Sequence, residues 1–225
     1  MLEKGHVAIV ANADVDLIPD LSFYKEDIDT WIGLEKGALF ILDNKETLHY
    51  ALGDFDSVNE QEKNRIKEHA KFFRLYPSEK DQTDLEIAIE QALCLQPKQI
   101  ILFGVTGGRK DHELVNIQML YTIARTGTEA IMIDKYSHMT LKYPGSYTVN
   151  NDTAYPYISF VAFTPEVTGM TLEGFKYPLT KGKMSWGSTL CVSNQLLSNT
   201  GTFSHDHGIL LLIKSRDVVS ETIQG

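Results

Sequence analysis

The sequence predicts two domains, an α/β domain with a mainly parallel sheet over residues 1–136 and an all-β sandwich domain over residues 137–225. In the first part, short apolar runs alternate with helical patterns, which favours a parallel sheet covered by helices on both faces. Beyond about residue 138, helical periodicity disappears. Short β-rich runs follow one another there, separated by turn residues, as is typical of an antiparallel sandwich.

The first domain alternates strand and helix candidates in a regular order. The strands are expected at 6–11, 30–34, 48–52, 72–75, 99–103 and 130–133, and the helices near 36–43, 59–70, 84–95 and 112–126. Thr83 and Glu86 predict a capping box at the start of the third helix. The spacing in the fourth helix predicts one buried face, made by Leu114, Ile117, Leu120, Tyr121 and Ala124.

The second domain contains β-rich runs at 139–143, 157–163, 190–192 and 208–213. The chain has two cysteines, too few for a disulfide framework. Cys94 falls on a predicted helix and Cys191 on a predicted strand, so both are expected to be buried thiols.

Charge and hydropathy exclude several classes of function. A net charge of −9 argues against a nucleic-acid-binding surface, which needs a basic face. Residues 1–6 lack the apolar run of a signal peptide, and no stretch approaches the length of a membrane span. A cytoplasmic protein without membrane or nucleic-acid partners is expected.

Three charged segments lie where a parallel sheet would bring them together. They are 53–57 after the third strand, 80–84 at the start of the third helix, and 107–111 after the fifth strand. Ligands of open α/β sheets bind beyond the carboxyl ends of the strands. Gathered carboxylates repel one another unless a cation lies between them, so a divalent metal and a polyphosphate are predicted here.

Asp54 and Asp56 are two residues apart and would point to the same side of an extended backbone, which suits Mg²⁺. An aspartate-rich turn with a helix cap at Ser57 or Asn59 is the alternative interpretation. In the second segment, Asp84 is a better candidate ligand than Asp81.

The third segment joins two glycines to a guanidinium. Arg109 offers a planar fork to phosphate oxygens, and the glycines let backbone N–H groups approach the same anion. Asp111 would either orient Arg109 or help to hold the metal.

Two other patterns resemble functional motifs. Asp14 and Asp16 follow the first strand and resemble the aspartyl-nucleophile motif of haloacid-dehalogenase-type phosphatases, but no later acidic pair and lysine complete that site. His205 and His207 have the spacing of metal ligands, but a solvated hairpin turn is expected there.

Together, these segments resemble those of the thiamine pyrophosphokinase (thiamine diphosphokinase) family. The resemblance runs in order along nearly the whole chain, through 31–33, 37–39, 53–57, 80–86, 107–116, 177–179 and 192–194. It implies a homodimer that binds thiamine at the subunit interface. It also implies transfer of the terminal pyrophosphate of ATP to the thiamine hydroxyl, giving thiamine diphosphate and AMP.

The resemblance also implies roles for individual residues. The expected Mg²⁺ ligands are Asp54, Asp56 and Asp84. The expected contacts of the ATP phosphates are Lys80, Thr83, Arg109 and Asp111. The expected contacts of thiamine are Tyr177, Ser193 and Asn194.

Two positions depart from the family pattern, and one catalytic role stays open. Glu35 stands where the family usually has Asp, which puts that position's role in doubt, and Gln195 replaces a common Glu. Either Asp81 or Asp111 is expected to accept the hydroxyl proton. A non-catalytic nucleotide or thiamine sensor is the alternative function; ligand binding without turnover would support it.

Overall fold

The computed structural model describes residues 5–11 and 14–218. The chain divides into two compact units between Lys135 and Tyr136. The fold class expected from the sequence is confirmed, with a mainly parallel α/β unit followed by an antiparallel β unit.

Six parallel strands form the sheet of the first unit. They are β1 (His6–Val10), β2 (Thr30–Leu34), β3 (Tyr50–Gly53), β4 (Phe72–Leu75), β5 (Gln99–Phe103) and β6 (Glu129–Ile133). Their order across the sheet is β4-β3-β2-β1-β5-β6. Four residues in each of β1, β2 and β5 are buried, as expected of strands covered on both faces.

Four helices connect these strands: α1 (Lys36–Asp43), α2 (Glu60–His69), α3 (Asp84–Cys94) and α4 (Lys110–Ala124). At α3, the Thr83 hydroxyl accepts a hydrogen bond from the Glu86 backbone N–H at 3.2 Å, which is one half of the predicted capping box. A complete capping box opens α2, between Asn59 and Glu62.

The strand order creates a topological switch point between β1 and β5. From β1 the chain moves outward through β2 and β3 to β4, and it then returns to place β5 on the other side of β1. The segments that follow β1 and β5 therefore run in opposite directions and leave a crevice beyond the strand ends.

The predicted buried face of α4 is partly wrong. Leu120 is fully buried, but Leu114 is 61% exposed and Tyr121 is 37% exposed. The exposed Leu114 and Val115 belong to the first half of α4, and the helix's buried residues, Met119, Leu120 and Ile123, lie in its second half. The apolar spacing predicted the helix, but it did not predict how much of the helix length packs against the core.

The second unit is a two-sheet antiparallel structure. Its strands are β7 (Ser137–Lys142), β8 (Gly145–Asn150), β9 (Tyr157–Ala162), β10 (Glu166–Glu173), β11 (Leu179–Ser185), β12 (Thr200–His205) and β13 (Leu210–Ser215). One sheet pairs β13 with β7 and β9, and the other has the order β11-β10-β12-β8. Phe160 of β9, Met170 of β10 and Phe203 of β12 lie in one core.

Two sequence predictions are wrong, one in each unit. Residues 190–192 form a turn rather than a strand, although Cys191 is buried there. Burial raises the pKa of the Cys191 thiol to about 11. Cys94 is exposed because it is the last residue of α3, at an end of the helix that the core does not cover.

The prediction of a solvated turn at residues 205–207 holds only in part. Asp206 and His207 are exposed. His205 is instead the last residue of β12 and is 2% exposed.

Within the described ranges, no helix is long and apolar enough to cross a membrane.

Candidate active site

A cleft of about 870 Å³ lies at the switch point of the first unit. Segments after β1, β2, β3 and β5 line it, together with the start of α3 and the first turns of α4. The lining residues that carry polar side chains are Asp14, Glu35, Asp56, Ser57, Thr83, Asp84, Arg109, His112 and Asn116. The strand order therefore brings the three charged segments of the sequence to one edge of the sheet.

Glu35 links two of the segments that line the cleft. It follows β2 directly, has a φ of 51° and is only 7% exposed. Its carboxylate accepts hydrogen bonds from the Phe55 backbone N–H at 2.8 Å and from the Ser57 hydroxyl. A positive φ is costly for a residue with a side chain, so the contacts around Glu35 must hold this backbone conformation.

Three carboxylates meet in the cleft region. One oxygen each of Glu35, Asp54 and Asp84 lies within 4.8 Å of the others. These residues come from the ends of β2 and β3 and from the first turn of α3, which are neighbours because β2, β3 and β4 are adjacent strands. The cluster of Glu35, Asp54 and Asp84 is called the carboxylate trio below.

Glu35 and Asp54 of the trio influence each other's pKa. Burial raises the pKa of Glu35, and a hydrogen bond with Asp54 raises it further by a smaller amount. The hydrogen bond from Glu35 is the main reason that the pKa of Asp54 is lowered. The pKa values of the two neighbouring carboxyl groups therefore shift in opposite directions, that of Glu35 upward and that of Asp54 downward.

Asp56 does not belong to the trio because the chain is not extended between Asp54 and Asp56. Phe55 has a φ of 57°, and its buried ring stacks on Phe73 at 4.7 Å between ring centroids. The Asp56 backbone N–H donates to Asp54 Oδ1 at 3.2 Å, which closes a turn. The expectation of an extended backbone between the two aspartates was therefore wrong. Asp56 still lines the cleft, and its role as a metal ligand stays a prediction.

Asp84 is paired with a lysine in the loop that precedes its helix. Lys80 Nζ lies 3.0 Å from Asp84 Oδ1. The contact lacks hydrogen-bond geometry, so this buried oxygen has no hydrogen-bond partner. Asp81 is exposed and is not among the residues that line the cleft.

The glycine loop after β5 presents a guanidinium at the cleft. Gly107 and Gly108 have φ values of 80° and 71°, a conformation that glycine adopts at little cost. Arg109 lines the cleft and donates to both carboxylate oxygens of Asp111, at 3.2 and 2.5 Å. This pair lowers the pKa of Asp111 to about 2.

Buried hydrogen bonds hold the same loop on both sides. Thr106 donates to the buried carboxylate of Asp134 at 2.9 Å. Asn116 of α4 donates to the backbone carbonyl of Val105 at 2.9 Å. Neither Asn116 nor Asp134 was among the predicted site residues. Asn116 lies in the 107–116 segment of the family resemblance, and Asp134 is a polar residue directly after β6.

The predicted thiamine-contact residues lie together in the second unit. Asn194 is 2% exposed. Its side-chain amide accepts a hydrogen bond from the Tyr177 backbone N–H at 3.0 Å and donates one to the Tyr177 carbonyl at 2.8 Å. The ring of Tyr177 is 59% exposed. Ser193 has a φ of 57°, and its backbone N–H donates to the Ser159 hydroxyl at 2.9 Å.

An exposed apolar set, not recognised from the sequence, lies in the same unit: Tyr177, Trp186, Leu190, Val192 and Leu197. Trp186 is 67% exposed, with its ring N–H directed to the carbonyl of Phe163 at 3.3 Å.

Asp14 caps a short 3₁₀ helix and lines the cleft. Its carboxylate accepts a hydrogen bond from the Asp16 backbone N–H at 3.0 Å. The described residues that offer a cluster of three or more metal-ligating side chains are those of the trio, to which Asp14 does not belong.

The fold and the site define an α/β enzyme whose acidic cleft lies beyond the carboxyl ends of a parallel sheet. Family models for the thiamin pyrophosphokinase catalytic domain and for its vitamin B1 binding domain match residues 22–132 and 146–210.

Individual relatives agree with these family models. A thiamine pyrophosphokinase of Bacillus subtilis is 46% identical over 211 residues, covering 94% of this chain and 99% of its own length. The crystal structure of thiamine pyrophosphokinase from that organism superposes with a TM-score of 0.89 at 45% identity, over 95% of this chain and 100% of the other. The corresponding structure from Geobacillus thermodenitrificans gives 0.85 at 38% identity, over 95% and 99%. The chain belongs to the thiamin pyrophosphokinase family, and it is a transferase.

Proposed function

We propose that this protein transfers the terminal pyrophosphate of ATP to the hydroxyl group of thiamine and releases AMP. The observation that carries the proposal is the carboxylate trio beside the glycine loop, in a chain 46% identical to a thiamine pyrophosphokinase. The matches of the two family models support ATP binding by the first unit and thiamine binding by the second.

The trio has the chemistry of a magnesium site. Mg²⁺ prefers carboxylate oxygens together with phosphate oxygens and water, and Asp84 Oδ1 is a buried oxygen without a hydrogen bond. Asp54 and Asp84 would hold the ion with Glu35, and Asp56 lies close enough in sequence and in the cleft to join them. When bound, the ion supplies positive charge that neutralises the phosphate oxygens.

The other polar groups of the cleft suit the phosphates of ATP. Arg109 offers a planar pair of donors, and the glycine loop exposes backbone N–H groups in a tight turn. Thr83 caps α3, whose N-terminus favours an anion. Since phosphoryl transfer needs mainly positioning and charge neutralisation, these residues account for most of the protein's part in the reaction.

The geometry favours neither of the two aspartates considered as proton acceptors, because Asp81 and Asp111 are both absent from the residues that line the cleft. Arg109 holds the pKa of Asp111 at about 2, and such a carboxylate is a weak base at neutral pH. Asp111 instead fixes the direction of the Arg109 guanidinium through two hydrogen bonds.

Thiamine is assigned to the second unit, with the exposed ring of Tyr177 against its pyrimidine and Ser193 beside it. Asn194 positions Tyr177, because the buried Asn194 side-chain amide makes two hydrogen bonds with the Tyr177 backbone. The exposed apolar set supports a homodimer with thiamine at the subunit interface. The cytoplasmic location stays a prediction.

Separation of the nucleotide products tests the proposal. Purified protein with ATP and Mg²⁺ should release AMP only when thiamine is added, with thiamine diphosphate in equal amount. Asp84→Asn should lower turnover by at least about 100-fold, since it removes a proposed Mg²⁺ ligand. Asp27→Asn, at an exposed site outside the cleft, is the matched control. ADP as the nucleotide product would refute the proposal.

A further inference from the structure

Lys80 is held in one position by two contacts in the loop between β4 and α3. Its side chain is 16% exposed, although lysine side chains are usually solvated. The ammonium donates to the carbonyl of Pro77 at 3.1 Å and lies 3.0 Å from Asp84 Oδ1. The charge is therefore directed into the protein, towards the carboxylate trio.

The trio needs a positive charge beside it, supplied either by a metal ion or by a side chain. Carboxylates within 4.8 Å of one another repel, and Asp84 is 26% exposed, so water screens that repulsion incompletely. Among the ion pairs of the described residues, the pair with Lys80 is the one that reaches a trio member. Asp84 Oδ1 has no hydrogen bond that would hold it otherwise.

We propose that Lys80 is a built-in counter-ion that holds Asp84 in place without metal and competes with a divalent cation for the Asp84 carboxylate. The competition rests on the proposed function, because it assumes that the trio is the metal site. A metal ion and an ammonium at one carboxylate repel each other, so the ammonium is expected to withdraw when a metal binds. A withdrawn ammonium is free to pair with a phosphate oxygen, the role predicted for Lys80 from the sequence.

The metal-free arm of the test is a double-mutant cycle in EDTA. Lys80→Met keeps an unbranched chain but removes the charge, and it should lower the melting temperature by about 2–4 °C. Lys80→Arg should retain most of the stability. In the cycle with Asp84→Asn, the loss in the double variant should be smaller than the sum of the single losses, because both changes remove the same contact.

The metal arm measures thermal stabilisation by MgCl₂ alone, without nucleotide. Because Lys80→Met removes the competing charge, its half-saturating Mg²⁺ concentration should be roughly 3- to 10-fold lower than that of the wild type. Lys183→Met breaks an exposed ion pair with Glu166 in the second unit and should leave the Mg²⁺ response unchanged.

Two results would overturn the inference: additive losses in EDTA, or weaker Mg²⁺ binding by Lys80→Met, which would make Lys80 a support for the ligands rather than a competitor. If the wild type shows no Mg²⁺ response, the proposed metal site fails and the competition fails with it. If the wild type responds through Asp84 and Lys80→Met behaves like it, only the role of Lys80 fails.

Discussion

Glu35 is the residue whose importance the sequence left in doubt. The glutamate side chain is one methylene longer than the aspartate usual in the family. From the positive-φ position after β2, it reaches the Asp54–Ser57 segment that follows β3. It thus joins the trio and also satisfies a buried backbone N–H group, so the carboxyl has both a structural and a proposed metal-binding role.

Glu35→Ala should lower the free energy of unfolding in EDTA by about 1–3 kcal/mol, because the buried Phe55 N–H loses its acceptor. Urea denaturation measures the change. Glu35→Gln, which keeps an acceptor oxygen, should lose less, and Ser57→Ala should lose the contribution of one hydrogen bond. An Ala variant as stable as the wild type would contradict this structural role.

The strand β12 shows how an element determines the environment of a residue that looked like part of a turn. Gly201, Phe203 and His205 are buried at alternate positions, so the two-residue period of the strand directs His205 towards the interior. Burial there lowers the pKa of His205 below its ordinary value of 6.5, against smaller opposing effects that include the nearby Asp206.

This burial predicts a pH dependence of stability. Above pH 6.5, His205 is neutral in both the folded and unfolded states. Below it the unfolded state binds the proton first, so stability should fall by up to about 1.4 kcal/mol per pH unit until the lower folded pKa is reached.

Urea denaturation at pH 7.5 and pH 5.0 measures this dependence. His205→Gln should reduce the difference between the two pH values, whereas His207→Gln, at the exposed neighbour, should leave it unchanged. Equal differences in both variants would contradict the assignment.

Each of the two units leaves apolar side chains exposed. In the first unit these include Leu114 and Val115 of α4, and in the second they include Trp186, Leu190 and Leu197. Exposed apolar groups of this kind are common where a protein binds a partner. The homodimer that the family resemblance implies stays a prediction.

Sedimentation equilibrium should therefore give about twice the chain mass of 25.3 kDa at micromolar concentration, with thiamine and ATP absent. A dilution series distinguishes a weak dimer from a stable one, and added NaCl tests whether the high negative charge opposes association. A single species of monomer mass at the concentrations used for the activity assay would contradict a dimeric enzyme.

Hydrophobic periodicity was sufficient to predict the order of strands and helices in the first unit, because it is a local property of the chain. The aspartate and glycine motifs beyond the strand ends, and the family resemblance, came from the same local patterns. In the second unit, the β-rich runs named as examples from the sequence did not include β8, β10, β11 or β12, which carry polar residues at exposed positions.

Tertiary structure decided which of the carboxylates meet. Glu35, Asp54 and Asp84 are far apart in sequence and come together because β2, β3 and β4 are adjacent, while the turn at Phe55 keeps Asp56 outside the trio. Tertiary contacts also buried His205 and left Cys94 exposed. Strand order and backbone turns depend on contacts between distant residues, which a local pattern does not contain.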